Sequence, residues 1–92
     1  MAHLDVELVA ADRKIWSGEA SMVSAPAANG EIGILPGHEP LLSVLRAGEI
    51  RVTPLSGARI RGQVEGGFLS VDSNKVTIVA DSISMTTDAA SA

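Results

Sequence analysis

Cysteine is absent from the 92 residues. That excludes disulfides, thiolate metal sites and a cysteine nucleophile, and it suits a reducing compartment. Tyrosine is absent too, and Trp16 and Phe68 are the only aromatics. A core must therefore be built from Val, Ile, Leu and Ala. Two rings are also too few for a sugar-stacking platform. Basic residues are scarce: 7 Lys and Arg stand against 11 Asp and Glu, for a net charge of -4. Nucleic acid is not an expected partner, because neutralising phosphates needs clustered Lys and Arg. No run approaches the roughly 20 apolar residues of a membrane-spanning helix. Asp5 and Glu7 interrupt the first apolar stretch, so it does not read as a signal peptide. Contact with a membrane is expected only indirectly, through a partner.

What is present has a period of two, the period of a strand. Leu4, Val6 and Leu8 alternate with His3, Asp5 and Glu7. Ile50 and Val52 alternate with Glu49, Arg51 and Thr53. Ala58, Ile60 and Val64 take one face of the next segment, and Arg59, Arg61, Gln63 and Glu65 take the other. Val76, Ile78 and Ala80 point inward from a fourth. Each pattern describes a strand buried on one face and wet on the other. Pro40 to Leu45 also fits a short helical face. Its brevity and the glycine at 48 favour a strand.

Turn signals recur at Gly18, Asn29-Gly30, Pro36-Gly37, Gly48, Ser56-Gly57, Gly66-Gly67 and Ser73-Asn74. Units of about 8 to 12 residues indicate a β-sandwich or barrel of roughly 8 to 11 strands. The length suits one domain, burying roughly 60 to 70% of the surface of the unfolded chain. The sandwich is expected over residues 1–85, with Ile83 and Met85 extending a last strand. A short polar tail over 86–92 is expected to fray.

No catalytic constellation emerges. The two histidines, His3 and His38, are the only imidazole bases, and no Gly-x-Ser-x-Gly elbow is present. His3 reads as a surface residue of the first strand. His38 and Glu39 are adjacent, and neighbours on an extended chain point opposite ways, so no metal site is expected. Gly30 to Gly37 lacks the lysine and following helix of a phosphate loop. No cofactor is expected. Trp16 reads as a core or sheet-edge anchor whose indole N–H bonds a backbone carbonyl.

Asn29 to Leu42 stands apart. It holds three glycines and two prolines in fourteen residues, with Glu31 and His38 near its turns. Two readings fit: a binding loop of irregular backbone on a rigid sandwich, and two consecutive hairpin turns.

That segment, "GEIGILPGHEPLL" from Gly30 to Leu42, resembles the signature loop of the epsilon subunit of the rotary F-type ATP synthase. Three further blocks match in order: "LDVELVAADRKIWSGEA" from Leu4, "GEIRV" from Gly48 and "GGFLSVDSNKVTIVAD" from Gly66. The resemblance implies an all-β fold, a flattened sandwich of two sheets with about five strands each. It implies a non-catalytic central-stalk role, linking the gamma subunit to the membrane c ring and coupling proton translocation to ATP synthesis. It places the domain peripherally on the cytoplasmic face of the cell membrane. Glu31 and His38 match family positions facing the c ring, and Ile32, Gly33 and Gly37 match the frame around them. No short motif marks the gamma-facing surface; Leu42 and Val44 are the residues expected there.

Family members in bacteria usually continue into a C-terminal helical pair that can inhibit hydrolysis and, in some, binds ATP. No amphipathic helical pair follows Ala80, and no Ile-Asp-x-x-Arg-Ala-like motif is present. The chain as given is expected neither to inhibit through a helical arm nor to bind ATP. A naturally short protein and an excised N-terminal domain both fit. A free-standing β-sandwich binding a small ligand or peptide is the alternative. What the Gly30–Leu42 segment touches separates the two.

Overall fold

The period-two segments become nine strands and no helix among the residues that the computed structural model describes, 3–11, 13–55 and 57–87. They are β1 (Leu4–Ala10), β2 (Arg13–Ala27), β3 (Gly30–Ile34), β4 (Leu41–Leu45), β5 (Gly48–Pro54), β6 (Ile60–Val64), β7 (Gly67–Asp72), β8 (Lys75–Ala80) and β9 (Ile83–Thr87). Pro40 to Leu45 thus resolves as a strand.

One layer runs β4-β7-β8-β1 and ends on the first half of β2. The other centres on the second half of β2, with β3 on one side and β5, β6 and β9 on the other. Each layer has five strands when β2 is counted in both. The two layers form one continuous hydrogen-bonded network because β2, at 15 residues, serves both. Its transfer point is visible in its burial. Ala20 and Val23 are buried while Ser21 and Met22 both face water, so alternation slips by one. The register against β5 shifts at the same place, between Ala20 and Met22. An extra residue of this kind bends a strand and re-aims it. The sandwich is mixed rather than wholly antiparallel: β1 and β8 pair in parallel, from Asp5 beside Lys75 to Ala10 beside Ala80.

The buried side chains are those the composition predicts. Leu4, Leu8, Ile34, Ile50, Leu69 and Ile78 are the largest fully buried ones. Every buried hydrophobic residue is Ala, Val, Leu or Ile, and no charged or polar side chain is buried among the described residues. These side chains form one cluster drawn from both layers. Truncating a core leucine or isoleucine to alanine in such packing typically costs about 2 to 5 kcal/mol.

Four details depart from the sequence reading. Gly18 lies within β2 rather than at a turn. A Cβ there would stand 2.8 Å from the Trp16 ring, so the bare glycine makes room for the indole to lie across the strand. Trp16 is anchored by this packing against the core. Its indole N–H makes no hydrogen bond to a described residue. Gly30 to Ile34, within the segment for which an irregular binding loop and two hairpin turns both fit, is a regular strand because β2 supplies ladder partners from Ala27 to Val23. Finally, β9 runs two residues past the expected boundary at 85, because Thr86 and Thr87 find ladder partners in Arg61 and Ile60 of β6. The remainder of the expected tail, 88–92, lies outside the described residues.

Candidate docking surfaces

The segment from Gly30 to Leu42 is a strand, a tight turn and the start of the next strand. Leu35, Pro36, Gly37 and His38 form the turn, closed by the His38 N–H donating to the Leu35 carbonyl at 3.1 Å. Proline at the second position and a glycine with φ of 89° at the third are the requirements of a type II turn. The Gly37 N–H donates to Asn74 Oδ1 at 2.7 Å. Asn74 itself sits in the β7–β8 hairpin turn, where Ser73 and Asn74 both have positive φ, and its carbonyl accepts from the Asp5 N–H at 2.8 Å. One asparagine therefore ties the turn, the β7–β8 hairpin and the start of β1 together. Replacing Asn74 with Ala removes the side-chain acceptor and places a poorly suited residue at φ of 64°. The expected loss is about 1 to 2 kcal/mol, read as a lower urea midpoint with unchanged slope. A midpoint equal to wild type would show that the clasp carries no weight.

The residues expected to face the c ring do not all share one face. Glu31 and Gly33 lie outward on β3, while Ile32 turns inward and packs against the core. His38 follows the turn beyond the far end of β3; Glu31 and Ile34 alone are separated by roughly 10 Å of strand rise. The His38 ring is half-buried, with Nδ1 2.7 Å from the Glu39 carbonyl oxygen, where a ring N–H donates.

Glu31 looks across an open hollow of about 360 Å³ lined by Met22, Ser24, Ile32, Gly33 and Arg51. Arg51 is held by Glu49, whose carboxylate accepts from Nε at 2.8 Å; Arg61 reaches the other carboxylate oxygen at 3.9 Å. The Arg51 hydrogen bond, above all, holds the Glu49 carboxyl below its usual range, and burial opposes it. Glu49 in turn raises the Arg51 pKa, with Glu31 adding a smaller contribution. This is a charged, solvated face in which an acidic group stands at the sheet edge.

The outer face of the other layer is different. Leu42 is 75% exposed and Val44 54%. Register places Val44 beside Phe68, Phe68 beside Val79, and Val79 beside Val9. Phe68 is 56% exposed, so one of only two aromatics in the chain is turned to water. Leu42 adjoins this row two residues along β4. Scattered apolar residues on a surface are ordinary, but a contiguous row across four strands marks an interaction site. Leu42 and Val44, the residues expected at a gamma-facing surface, both lie outward on β4, and Phe68, Val79 and Val9 join them only through strand register. Phe68 was legible in principle, as a large ring on the polar phase of an otherwise alternating strand. The row itself depends on long-range register.

A family model described as "ATP synthase, Delta/Epsilon chain, beta-sandwich domain" matches residues 3–86. The chain belongs to this family. The ATP synthase epsilon chain of Rhodococcus erythropolis is 51% identical over 89 residues, covering 96% of this chain and 73% of the relative. That of Micrococcus luteus is 55% identical over 82 residues, covering 89% of this chain and 90% of its own length. The same fold is also seen by shape alone. A chain in the cryo-EM structure of the Euglena gracilis mitochondrial ATP synthase OSCP/F1/c-ring assembly superposes with a TM-score of 0.86 at 24% identity, over 92% of this chain and 54% of that one. At that identity the likeness speaks for the fold only. It agrees with the two five-strand layers described above.

Proposed function

We propose that this domain is a central-stalk subunit of an F-type ATP synthase, joining the gamma subunit to the membrane c ring. It couples proton translocation to ATP synthesis without catalysing a reaction itself. The observation that carries this reading is the exposed apolar row through Val44, Phe68 and Val79, on a chain whose family relatives are named ATP synthase epsilon chains. Such a row suits a broad apolar face of gamma, where removing the rings and branched side chains from water drives association. The c ring is met at the opposite character of surface, through Glu31 on the β3 edge and His38 at the turn. The domain is thus peripheral, on the cytoplasmic face, and reaches the membrane only through the ring.

Glu31 is exposed and packs against nothing in the core. Replacing Glu31 with Ala is expected to leave the melting curve unchanged while reducing proton-driven ATP synthesis in reconstituted vesicles. A single exposed charge pair is worth only about 0.2 to 1 kcal/mol, so the effect is partial. Normal coupling, or an unfolded variant, would remove Glu31 from this role. The reading as a whole is tested by gel filtration of the chain with its cognate gamma subunit, with and without the c ring. Co-elution is the expected result. A chain that elutes alone, where an established epsilon subunit binds, would end the stalk reading for it and leave the ligand-binding sandwich to be tested.

A further inference from the structure

One side-chain cluster takes no part in either docking surface. Alternation puts Asp5 of β1 and His3, just before the strand, on the same outer side, and the antiparallel register sets Glu19 of β2 directly opposite Asp5. His3 Nε2 stands 3.4 Å from Asp5 Oδ1 and 3.4 Å from Glu19 Oε2. One ligand atom from each of the three residues falls within 4.8 Å of the others.

Two features of this geometry call for a cation. Directly opposed like charges on neighbouring strands destabilise a sheet; His3 offsets Asp5 and Glu19 only when its ring is protonated, and no Lys or Arg among the described residues forms an ion pair with either. The nearby cations are otherwise disposed. Lys14 is taken by Glu7 at 2.9 Å, and Lys75 flanks Asp5 from β8 without closing on it. The second feature is the spacing itself. At 3.4 Å the two contacts of His3 exceed the usual N–H···O range of about 2.7 to 3.2 Å. Nitrogen and oxygen ligands held about 2.0 to 2.2 Å from a tetrahedral Zn²⁺ stand roughly 3.3 to 3.6 Å apart.

We propose that His3, Asp5 and Glu19 form a Zn²⁺ site. The imidazole and two carboxylates are three ligands, and water completes the tetrahedron from the adjoining open hollow lined by Asp5, Glu19, Ser17 and Lys75. An imidazole in the set favours Zn²⁺ over Mg²⁺ and Ca²⁺, which prefer oxygen ligands alone. The ion bridges β1 to β2 and neutralises the opposed carboxylates. It therefore binds the folded chain and not the unfolded one, and stability rises with the logarithm of free Zn²⁺ once its concentration exceeds Kd. The benefit falls at the start of β1, where the Asp5 N–H is already tied to Asn74. This inference is independent of the stalk role.

The test is a ZnCl₂ titration of the purified chain by calorimetry, paired with thermal unfolding at increasing Zn²⁺. The expected result is saturable binding of one ion per chain and a Tm that rises with Zn²⁺ and is indifferent to excess Mg²⁺. Losing even an outer partner of a metal ligand costs about tenfold or more in affinity, so Glu19→Gln is expected to weaken binding at least that much. His3→Ala is expected to abolish it, with circular dichroism unchanged in both. Absence of saturable binding by the wild-type chain overturns the site. So does binding that survives in a folded His3→Ala chain, including binding that is lost only in His38→Ala.

Discussion

Gly67→Ala is expected to destabilise the sandwich by roughly 3 kcal/mol or more, through overpacking and backbone strain together. Gly67 opens β7 with φ of 150° and is paired to Leu45 on one side and Ala80 on the other. A Cβ at this position would stand 2.0 Å from the Val79 carbonyl oxygen and 2.8 Å from the Ala80 Cα. Both obstacles are backbone in a paired strand, so neither can move without breaking the β7–β8 ladder. The Gly66→Ala variant is the control. Its Cβ would meet only the Leu45 carbonyl at 3.6 Å, an ordinary contact, leaving the strain of φ at 145° as the main cost. For a chain of this length, 3 kcal/mol corresponds to a fall in Tm of roughly 12 to 24 °C. A Gly67→Ala melt no lower than that of Gly66→Ala would show that the close approach to Val79 is not what requires glycine.

Phe68→Ala should behave in the opposite way, leaving the fold intact and weakening the complex with gamma. The ring lies between Val44 and Val79 on the outer face, more than half exposed. Its loss removes little buried area, and stability should change by no more than about 0.5 kcal/mol. Aromatic residues at the centre of an apolar patch are the usual energetic anchors of an interface. Truncating one typically costs about 2 kcal/mol, or roughly 30-fold in affinity. Calorimetry against the cognate gamma subunit measures this directly. Leu55, 50% exposed but outside the row, is the matched comparison, and Leu55→Ala should bind as wild type. Equal affinity for the Phe68→Ala and wild-type chains would move the gamma interface off this face.

Much of the architecture was legible because it rests on local regularities. Leu4, Val6 and Leu8, or Val76, Ile78 and Ala80, can face one core only as strands, and all six are buried. Pro36-Gly37 and Ser73-Asn74 announce turns by residue type, and both form. The long strand β2 was not legible. Its alternation slips at Ser21–Met22, and Gly18 mimics a turn although it serves the Trp16 ring. Glu31 stands out in the sequence by its place in a recognisable block. That Ile32 turns away from it and His38 lies past the next turn followed only from the pairing of β3 with β2.

The amino-acid sequence by itself determined the class of fold, the composition of the core and the family, because alternation, turn chemistry and contiguous motifs are properties of neighbouring residues. Tertiary structure alone decided that β1 lies parallel to β8, and that Val44, Phe68 and Val79 line up as one exposed row. It also brought Glu19 to face Asp5 beside His3. Those three results depend on register between strands separated in the chain. A slip of one residue would turn every side chain of a strand to the other face, so surfaces built across strands exist only once the whole core has selected its pairing.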